Sequence, residues 1–255
     1  FSGTGTADIG RAVTVDASGD VYITGQFIGT CDFNADTAAA QVANLTSYNL
    51  TNTDAFLAKY SNTGVYQWAQ RLGSNSSTAS NTDFGYTLTP AFNGGVIVGG
   101  QYFGTGIFGS LQVTAAGTLV NGFFARYDAA GTCTWVKAIG GTNNEAQVYS
   151  VTTDNSGNVF VAGRYKGAVD FDGSVGVFTL TSNPSTANDI FLAKYDTSGS
   201  LLWVNSMGGT TSDEAMDVHV DASGNIFMCG YLTGTADFDP LSGTQNVVSA
   251  GSNDG

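Results

Sequence analysis

The chain has 255 residues and a formal net charge of −13, and only 8 of its residues are Lys or Arg. So few cations cannot form the basic stripe that a phosphate backbone demands, which argues against nucleic-acid binding and against attraction to an anionic membrane surface. Hydrophobic residues make up 42% of the chain and 35 residues are glycine. This mixture favours a folded protein of short strands and tight turns, because Gly, Asn and Asp tolerate the positive φ angles of such turns.

Taken in chain order, two phrases alternate. The first reads AVTVDASGDVYITGQF, then TLTPAFNGGVIVGGQY in a divergent copy, then SVTTDNSGNVFVAGRY and DVHVDASGNIFMCGY. The second reads TDAFLAKYSNTGVYQW, NGFFARYDAAGTCTW and NDIFLAKYDTSGSLLW, and its tryptophans Trp68, Trp135 and Trp203 are 67 and 68 residues apart. Agreement at three separate segments identifies an internal repeat.

Each copy predicts four antiparallel strands in two hairpins. In the third copy the first hairpin turns at Asp154–Gly157 and the second at Asp196–Gly199, and both turns end in glycine. The middle strands, such as VFVAG and IFLA, are apolar nearly throughout, which is typical of a sheet that is covered on both faces. We therefore predict an all-β fold, a β-propeller built of four-stranded blades of about 67 residues. A β-solenoid fits less well, because its coils are shorter and its strands are parallel.

The copies are expected at residues 1–70, 71–137, 138–205 and, incomplete, 206–255. Residues 1–5 align with residues 206–210, just after a fourth strand, and residues 252–255 align with those before a third strand. Two explanations stay open. The chain is a segment of a larger propeller of about six to eight blades, which we favour, or nearly all of a four-bladed one.

The repeat also resembles a known family. The pattern D-x-x-G-N-V-Y/F-x-x-G, followed by D-F-D and then by D-I/A-F-L-A-K-Y-D-x-x-G-x-x-x-W, is similar to the SBBP-type β-propeller repeats of bacterial secreted and surface proteins. The resemblance implies a propeller in an extracellular protein. The second copy departs from the pattern, because it lacks the turn Asp and has GTGIFGS in place of D-F-D.

The acidic residues that follow the second strand are the candidate metal ligands. Carboxylates one residue apart on a loop could help to hold calcium, which prefers oxygen ligands. The competing interpretation, which we favour, is that these Asp side chains cap turns while the Phe between them packs between blades. The candidates are Asp32, Asp170, Asp172, Asp237 and Asp239.

Other residues carry less chemistry. Lys59, Arg126 and Lys194 recur at one repeat position, and we expect them to pair with nearby Asp or to cover Trp. Glu145 and Glu214 are expected to be loop residues before a first strand. The single histidine, His219, should face away from Val218 and Val220; alone, it cannot build an imidazole metal site.

The three cysteines show no repeated spacing, so we expect small buried residues, with one disulfide left open. Nucleophile-elbow, HExxH and P-loop motifs do not occur in the sequence. No catalytic residue is therefore assigned.

These observations predict a non-enzymatic scaffold or binding module, secreted or on the bacterial cell surface, that acts in adhesion, in a surface layer or filament, or in glycan or protein recognition. Its partners would be an extracellular glycan, a protein or copies of itself, without membrane insertion, and its contacts would come from the variable segments 35–52 and 173–188. The alternative is a calcium-dependent hydrolase or lyase of extracellular polysaccharide. Accordingly, the cofactor is either none or calcium.

Overall fold

A computed structural model describes residues 2–3, 8–34, 43–75, 82–115, 117–173, 176–241 and 243–251. Over these residues the chain forms β-strands and one 3-10 turn, which confirms the all-β prediction. The strands, in chain order, are β1 (Ser2–Gly3), β2 (Ile9–Val15), β3 (Val21–Ile28), β4 (Thr30–Asp32), β5 (Asn44–Thr46), β6 (Thr53–Tyr60), β7 (Tyr66–Ser74), β8 (Phe84–Pro90), β9 (Val96–Tyr102), β10 (Thr105–Phe108), β11 (Leu111–Thr114), β12 (Asn121–Tyr127), β13 (Cys133–Ile139), β14 (Glu145–Thr153), β15 (Val159–Lys166), β16 (Ala168–Asp170), β17 (Thr179–Thr181), β18 (Asn188–Tyr195), β19 (Leu201–Gly209), β20 (Glu214–Val220), β21 (Ile226–Tyr231), β22 (Thr235–Asp237) and β23 (Asn246–Val248).

Three four-stranded antiparallel sheets follow one another along the chain. Unit 1 is β2-β3-β6-β7, unit 2 is β8-β9-β12-β13 and unit 3 is β14-β15-β18-β19, each paired in that order. Unit 4 consists of the hairpin β20-β21. First strands of neighbouring units lie in contact, β2 with β8, β8 with β14 and β14 with β20. Antiparallel sheets stacked in this way fit a β-propeller.

A short extra hairpin follows the second strand of every unit, and the sequence did not predict it. These hairpins are β4-β5, β10-β11, β16-β17 and β22-β23. Each reaches back to the end of the preceding fourth strand: β4 pairs with β1, β10 with β7 and β22 with β19, while Asp170 bridges Gly140. Strands of three or four residues are too short for an alternating pattern to predict them.

This pairing also corrects one alignment. Ser2 lies opposite Asp32, and Gly208 lies opposite the equivalent Asp237. Ser2 therefore corresponds to Gly208, one residue away from the alignment of residues 1–5 with residues 206–210.

Three buried aromatic side chains fill the same place in every complete unit. In unit 3, Phe171 packs at a tilt against Phe191 with ring centroids 5.0 Å apart and meets the Tyr165 ring edge to face at 5.4 Å. All three side chains are fully buried. The corresponding groups are Phe27, Phe33 and Phe56 in unit 1 and Tyr102, Phe108 and Phe123 in unit 2. The Phe of the acidic motif is thus a core residue, including Phe108, where both flanking Asp residues are missing.

Tryptophan joins one unit to the next. Trp68 at the end of unit 1 donates its Nε1–H to the Ala129 carbonyl in a turn of unit 2, at 3.1 Å, and Trp135 of unit 2 donates to the Thr197 carbonyl of unit 3, at 3.3 Å. The Trp68 ring lies against Gly131, where a β-carbon would come within 2.8 Å of it. Each indole therefore fixes the position of the following sheet.

Candidate functional site

The two ends of the sheets differ in kind. At one end, the turn end, first strands lead into second strands and third into fourth through turns of nearly constant sequence. At the opposite end, the variable end, first strands begin and second strands end, and the short hairpins lie there. The segments 35–52 and 173–188 belong to the variable end. Residues 35–42 and 174–175 fall outside the described residues, whereas β5 and β17 occupy part of the rest.

Charged residues at the turn end serve the scaffold. Lys59 Nζ lies 2.9 Å from the carboxylate of Asp20, and Lys194 Nζ lies 3.2 Å from that of Asp154. In unit 2 the divergent turn has no Asp, and Arg126 instead donates to the carbonyl oxygens of Phe92 and Gly94. The expected pairing of these lysines with Asp is confirmed by the two ion pairs.

The candidate metal ligands hold backbone amides. Asp170 Oδ1 accepts from the amides of Asp172 and Phe178, at 3.0 and 2.8 Å. Asp32 and Asp237 accept two backbone amides each in the same way, and Asp239 accepts from Leu241. These bonds agree with the capping interpretation. They bring no three candidate ligands together, and the described residues contain no group of three His, Cys, Asp or Glu side chains that could hold a metal ion.

A continuous polar network, here the axial network, crosses units 2, 3 and 4 at the variable end. Arg164 on β15 stands at its centre and donates to Gln147 Oε1 of its own unit and to Glu214 Oε1 of unit 4. Gln147 donates in turn to Gln101 Oε1 of unit 2. Gln101, Gln147 and Glu214 are buried, so the network ties the starts of the first strands β14 and β20 to the ends of the second strands β9 and β15.

Two tyrosines lie on the axial network and hold its glutamines. Tyr86 Oη donates to Gln101 Oε1 and Tyr149 Oη donates to Gln147 Oε1, both at 2.8 Å. The two rings meet edge to face with centroids 5.2 Å apart, and the Arg11 guanidinium lies 5.2 Å from the Tyr86 ring centroid. Burial raises the pKa of Tyr86 to about 12, so its hydroxyl stays protonated as a donor.

One repeat position supplies the side chains above this network. Every first strand carries a β-bulge near its start, and the bulged residue has no partner in the ladder. Bulges re-aim side chains, and here they are partly or well exposed. We call these residues the axial rim: Arg11, Tyr86, Tyr149 and Met216.

A cleft of about 560 Å³ opens at the variable end between units 2 and 3. Its lining includes the polar side chains of Asn121, Asn144, Asp170 and Asp172 beside several glycines. Its volume lies within the usual range of ligand pockets. Two of the candidate metal ligands, Asp170 and Asp172, therefore border a cleft. One carboxylate oxygen of Asp170 already accepts two backbone amides.

Several predictions for single residues have clear outcomes. His219 is exposed while Val218 and Val220 are buried, as expected. Glu145 and Glu214 are not loop residues: they begin β14 and β20 and pair with Lys166 and Arg164. The sequence did not show this, because the partners Arg164 and Lys166 lie on β15 and meet the two carboxylates only in the folded chain.

The cysteine prediction was partly wrong. All three described cysteines are free thiols, and Cys31 and Cys133 are buried. Cys229 is exposed, since no described strand covers β21 where β18 covers the equivalent Ala162 of unit 3. Within the described part of the chain, no helix has the length and apolar character needed to cross a bilayer.

Comparison with known proteins agrees with this architecture. Residues 134–164 match the SBBP beta-propeller repeat, which confirms the resemblance for the stretch from β13 into β15. A protein of Acanthamoeba polyphaga mimivirus, named uncharacterized WD repeat-containing protein L264, is 25% identical over 77% of this chain. The regulatory protein FlaEY of Caulobacter vibrioides is 28% identical over 51% of the chain. The matched segments span only 15% and 14% of the lengths of those two proteins.

Proposed function

We propose that this chain is a non-enzymatic protein-interaction scaffold whose contact surface is the axial rim with the neighbouring cleft. The axial network carries the proposal. It holds Tyr86 and Tyr149 ring against ring, with the Arg11 guanidinium against Tyr86, and Met216 is exposed at the same repeat position of unit 4. Tyr, Arg and Met are the side chains enriched in the binding cores of protein interfaces.

The network also makes these side chains ready to bind. The hydroxyl of Tyr149 is held by Gln147, which is itself held by Arg164, so the ring has little freedom left to lose. Binding through pre-ordered side chains avoids much of the entropic cost of association. At the turn end, by contrast, the charged side chains of Lys59, Lys194 and Arg126 are engaged with their own turns.

Further features of the function belong to the same proposal. The chain would be a segment of a larger propeller with blades of about 67 residues, divided near residues 70, 137 and 205. It would lie outside a bacterial cell, where a net charge of −13 favours solubility. Its partners would be a protein, a glycan or copies of itself. The WD repeat in the name of one relative supports a scaffold, since repeat propellers commonly present binding surfaces.

Selection from a displayed random-peptide library on the immobilised chain tests the proposal. Selected peptides should bind the unaltered chain and lose about tenfold or more in affinity when Tyr86 and Tyr149 are both changed to Ser, as expected for central interface aromatics. The matched control is Val65→Ala, an exposed apolar residue at the turn end, which should bind as the unaltered chain does. Thermal melting shows that each variant is folded.

Two outcomes contradict the proposal. One is equal loss of peptide binding in the control and in the tyrosine variant. The other is turnover of any member of a panel of bacterial polysaccharides in the presence of calcium, which would establish the hydrolase or lyase alternative.

A further inference from the structure

The boundaries between units are not electrostatically alike. At each boundary, a residue at the start of a third strand approaches the residue just before, or early in, the next first strand. Between units 1 and 2 these residues are Asp54 and Asp83, and between units 3 and 4 they are Asp189 and Asp213. Between units 2 and 3 the positions hold Asn121 and Ala146. Two boundaries thus bury a pair of carboxyl groups, and one buries none.

The boundary between units 1 and 2 carries its own cation. Arg71 Nη1 lies 2.7 Å from Asp54 Oδ2 and also donates to the Ser74 carbonyl at 3.1 Å. Asp54 and Asp83 are each 1% exposed, so the guanidinium offsets charge that water cannot reach.

The boundary between units 3 and 4 has no such cation. Ser206 stands where Arg71 stands in unit 1, and it bonds instead to the hydroxyl of Tyr165. Among the described residues, no Lys or Arg forms an ion pair with Asp189 or Asp213. Yet Asp189 is only 4% exposed and Asp213 is fully buried.

One carboxylate oxygen at this boundary has no partner. Asp189 Oδ2 accepts from the amide of Asn183 at 2.8 Å, whereas its Oδ1 is buried and accepts no hydrogen bond. Both oxygens of Asp213 accept amides, Oδ1 from Thr233 at 3.0 Å and Oδ2 from Gly209 at 2.9 Å. A buried oxygen without a donor is rare in folded proteins and calls for a missing partner.

The free oxygen and an oxygen of the second carboxylate both lie beside Gly208. A β-carbon placed on Gly208 would lie 2.7 Å from Asp189 Oδ1 and 3.2 Å from Asp213 Oδ2. Because Gly208 has no side chain, both oxygens border the same small space beside it. Two carboxylates that converge on one space suit a hard cation, which takes oxygen ligands at about 2.3–2.6 Å.

We propose that Asp189 and Asp213 bind a divalent cation of the calcium class beside Gly208, in the role that Arg71 fills between units 1 and 2. Two carboxylates match the charge of the ion, and carbonyl oxygens or water complete its coordination. The ion links the third strand of unit 3 to the first strand of unit 4. The two ligands are not the acidic residues of the short hairpins, although Asp237 lies opposite Gly208 in the ladder. The site does not depend on the proposed binding function.

Calcium titration of the metal-free full chain tests the proposal, with thermal melting and isothermal calorimetry as readouts. At calcium about 100-fold above its Kd, the Tm should rise by roughly 5 °C or more, with calorimetry giving one ion per chain. Ser206→Arg recreates the arrangement of unit 1 and should abolish both signals while the chain remains folded. Asp189→Asn, which copies Asn121 of unit 2, should abolish calcium binding as well.

Two controls decide the location. Asp54→Asn, at the boundary already served by Arg71, should leave the calcium response unchanged. The double variant Asp32→Asn with Asp170→Asn, in the short hairpins of units 1 and 3, should also keep it. Loss of the response in that double variant would place calcium at the short hairpins and overturn the proposal. No calcium binding to the unaltered chain, or full binding to Ser206→Arg, would overturn it too.

Discussion

The indole of Trp68 donates to the carbonyl oxygen of Ala129 across 3.1 Å, from the fourth strand of one sheet to a turn of the next. Its ring lies on Gly131 of the same turn. Trp135 repeats the relationship with the turn that contains Thr197 and Gly199. Each sheet is therefore held against a turn of the next sheet along the chain.

Gly131 offers a direct test of this contact. It has φ +85°, and a β-carbon there would meet Trp68 at 2.8 Å, whereas Gly64 has φ +82° and nothing within 4 Å. Gly64→Ala should cost about 1–2 kcal/mol of unfolding free energy for backbone strain alone, and Gly131→Ala should cost about 1–3 kcal/mol more for overpacking. Urea denaturation measures both. Equal losses would mean that the indole can move away without cost.

The lysine beneath the turn of unit 1 should matter more than a surface lysine. The Lys59 side chain is 8% exposed, 2.9 Å from Asp20 and 5.1 Å from the centroid of the Tyr22 ring. Lys59→Met should lower the free energy of unfolding by about 1–3 kcal/mol, because charged hydrogen bonds are lost at a partly buried site. Lys166→Met is the control, since that side chain is 39% exposed and its change should stay within about 0.5 kcal/mol. An unchanged free energy of unfolding in Lys59→Met would show that the turn is stable without the lysine.

Stability should depend on pH through Asp83. Burial raises the pKa of this carboxyl to about 7, far above its unfolded value of about 3.9. The folded state then binds more protons between these limits, so the free energy of unfolding should fall as pH rises through them and level off above about 7. Urea denaturation in calcium-free buffer measures this change. Asp83→Asn should remove the part of the change in unfolding free energy that Asp83 contributes, on the order of a few kcal/mol. An unchanged slope in the variant would contradict the assignment.

Below this window the sign reverses. The hydrogen bond from Ser198 lowers the pKa of Asp196, so this carboxylate stabilises the fold when ionised and its contribution is lost as pH falls below about 4. Stability should therefore pass through a maximum on the acid side of neutrality. A steady rise of stability up to pH 7 would contradict the assignment to Asp83, and a loss of stability as pH rises through about 4 would contradict the assignment to Asp196.

The axial network should respond as a unit. Arg164→Met removes the cation that faces the buried carboxylate of Glu214, and the expected cost is about 3 kcal/mol because an unpaired buried charge remains. Adding Glu214→Gln removes that charge and should restore part of the loss, which a double-mutant cycle in urea measures as a coupling. Strict additivity of the two changes would show that the residues act independently.

Local sequence pattern was enough to predict the strands and turns. Asp154 and Gly157 mark a turn whose geometry they dictate, and the Trp spacing reveals the repeat without any knowledge of contacts. The short hairpins escaped because strands such as β16, with three residues, carry no periodic signal. Each short hairpin pairs with a strand of the preceding copy, so the sequence of a single copy does not predict it.

The candidate site depends on contacts between units, and for that reason the sequence did not reveal it. Tyr86 and Tyr149 lie in two copies of the repeat whose sequences differ, and only the strand register shows that both are bulge residues. Arg164 and Glu214 are 50 residues apart and meet across a boundary. One signal could have been used: Gln26 and Gln101 occupy the same position in the first two copies, after a glycine at the end of an apolar strand.

Hydrogen–deuterium exchange on the chain with and without a library-selected peptide measures most directly where binding occurs. The scaffold proposal predicts slower exchange of the amides at the starts of β8 and β14, around Tyr86 and Tyr149, with the turns at 16–20 and 154–158 unchanged. Protection confined to those turns, with none near the two tyrosines, would contradict it.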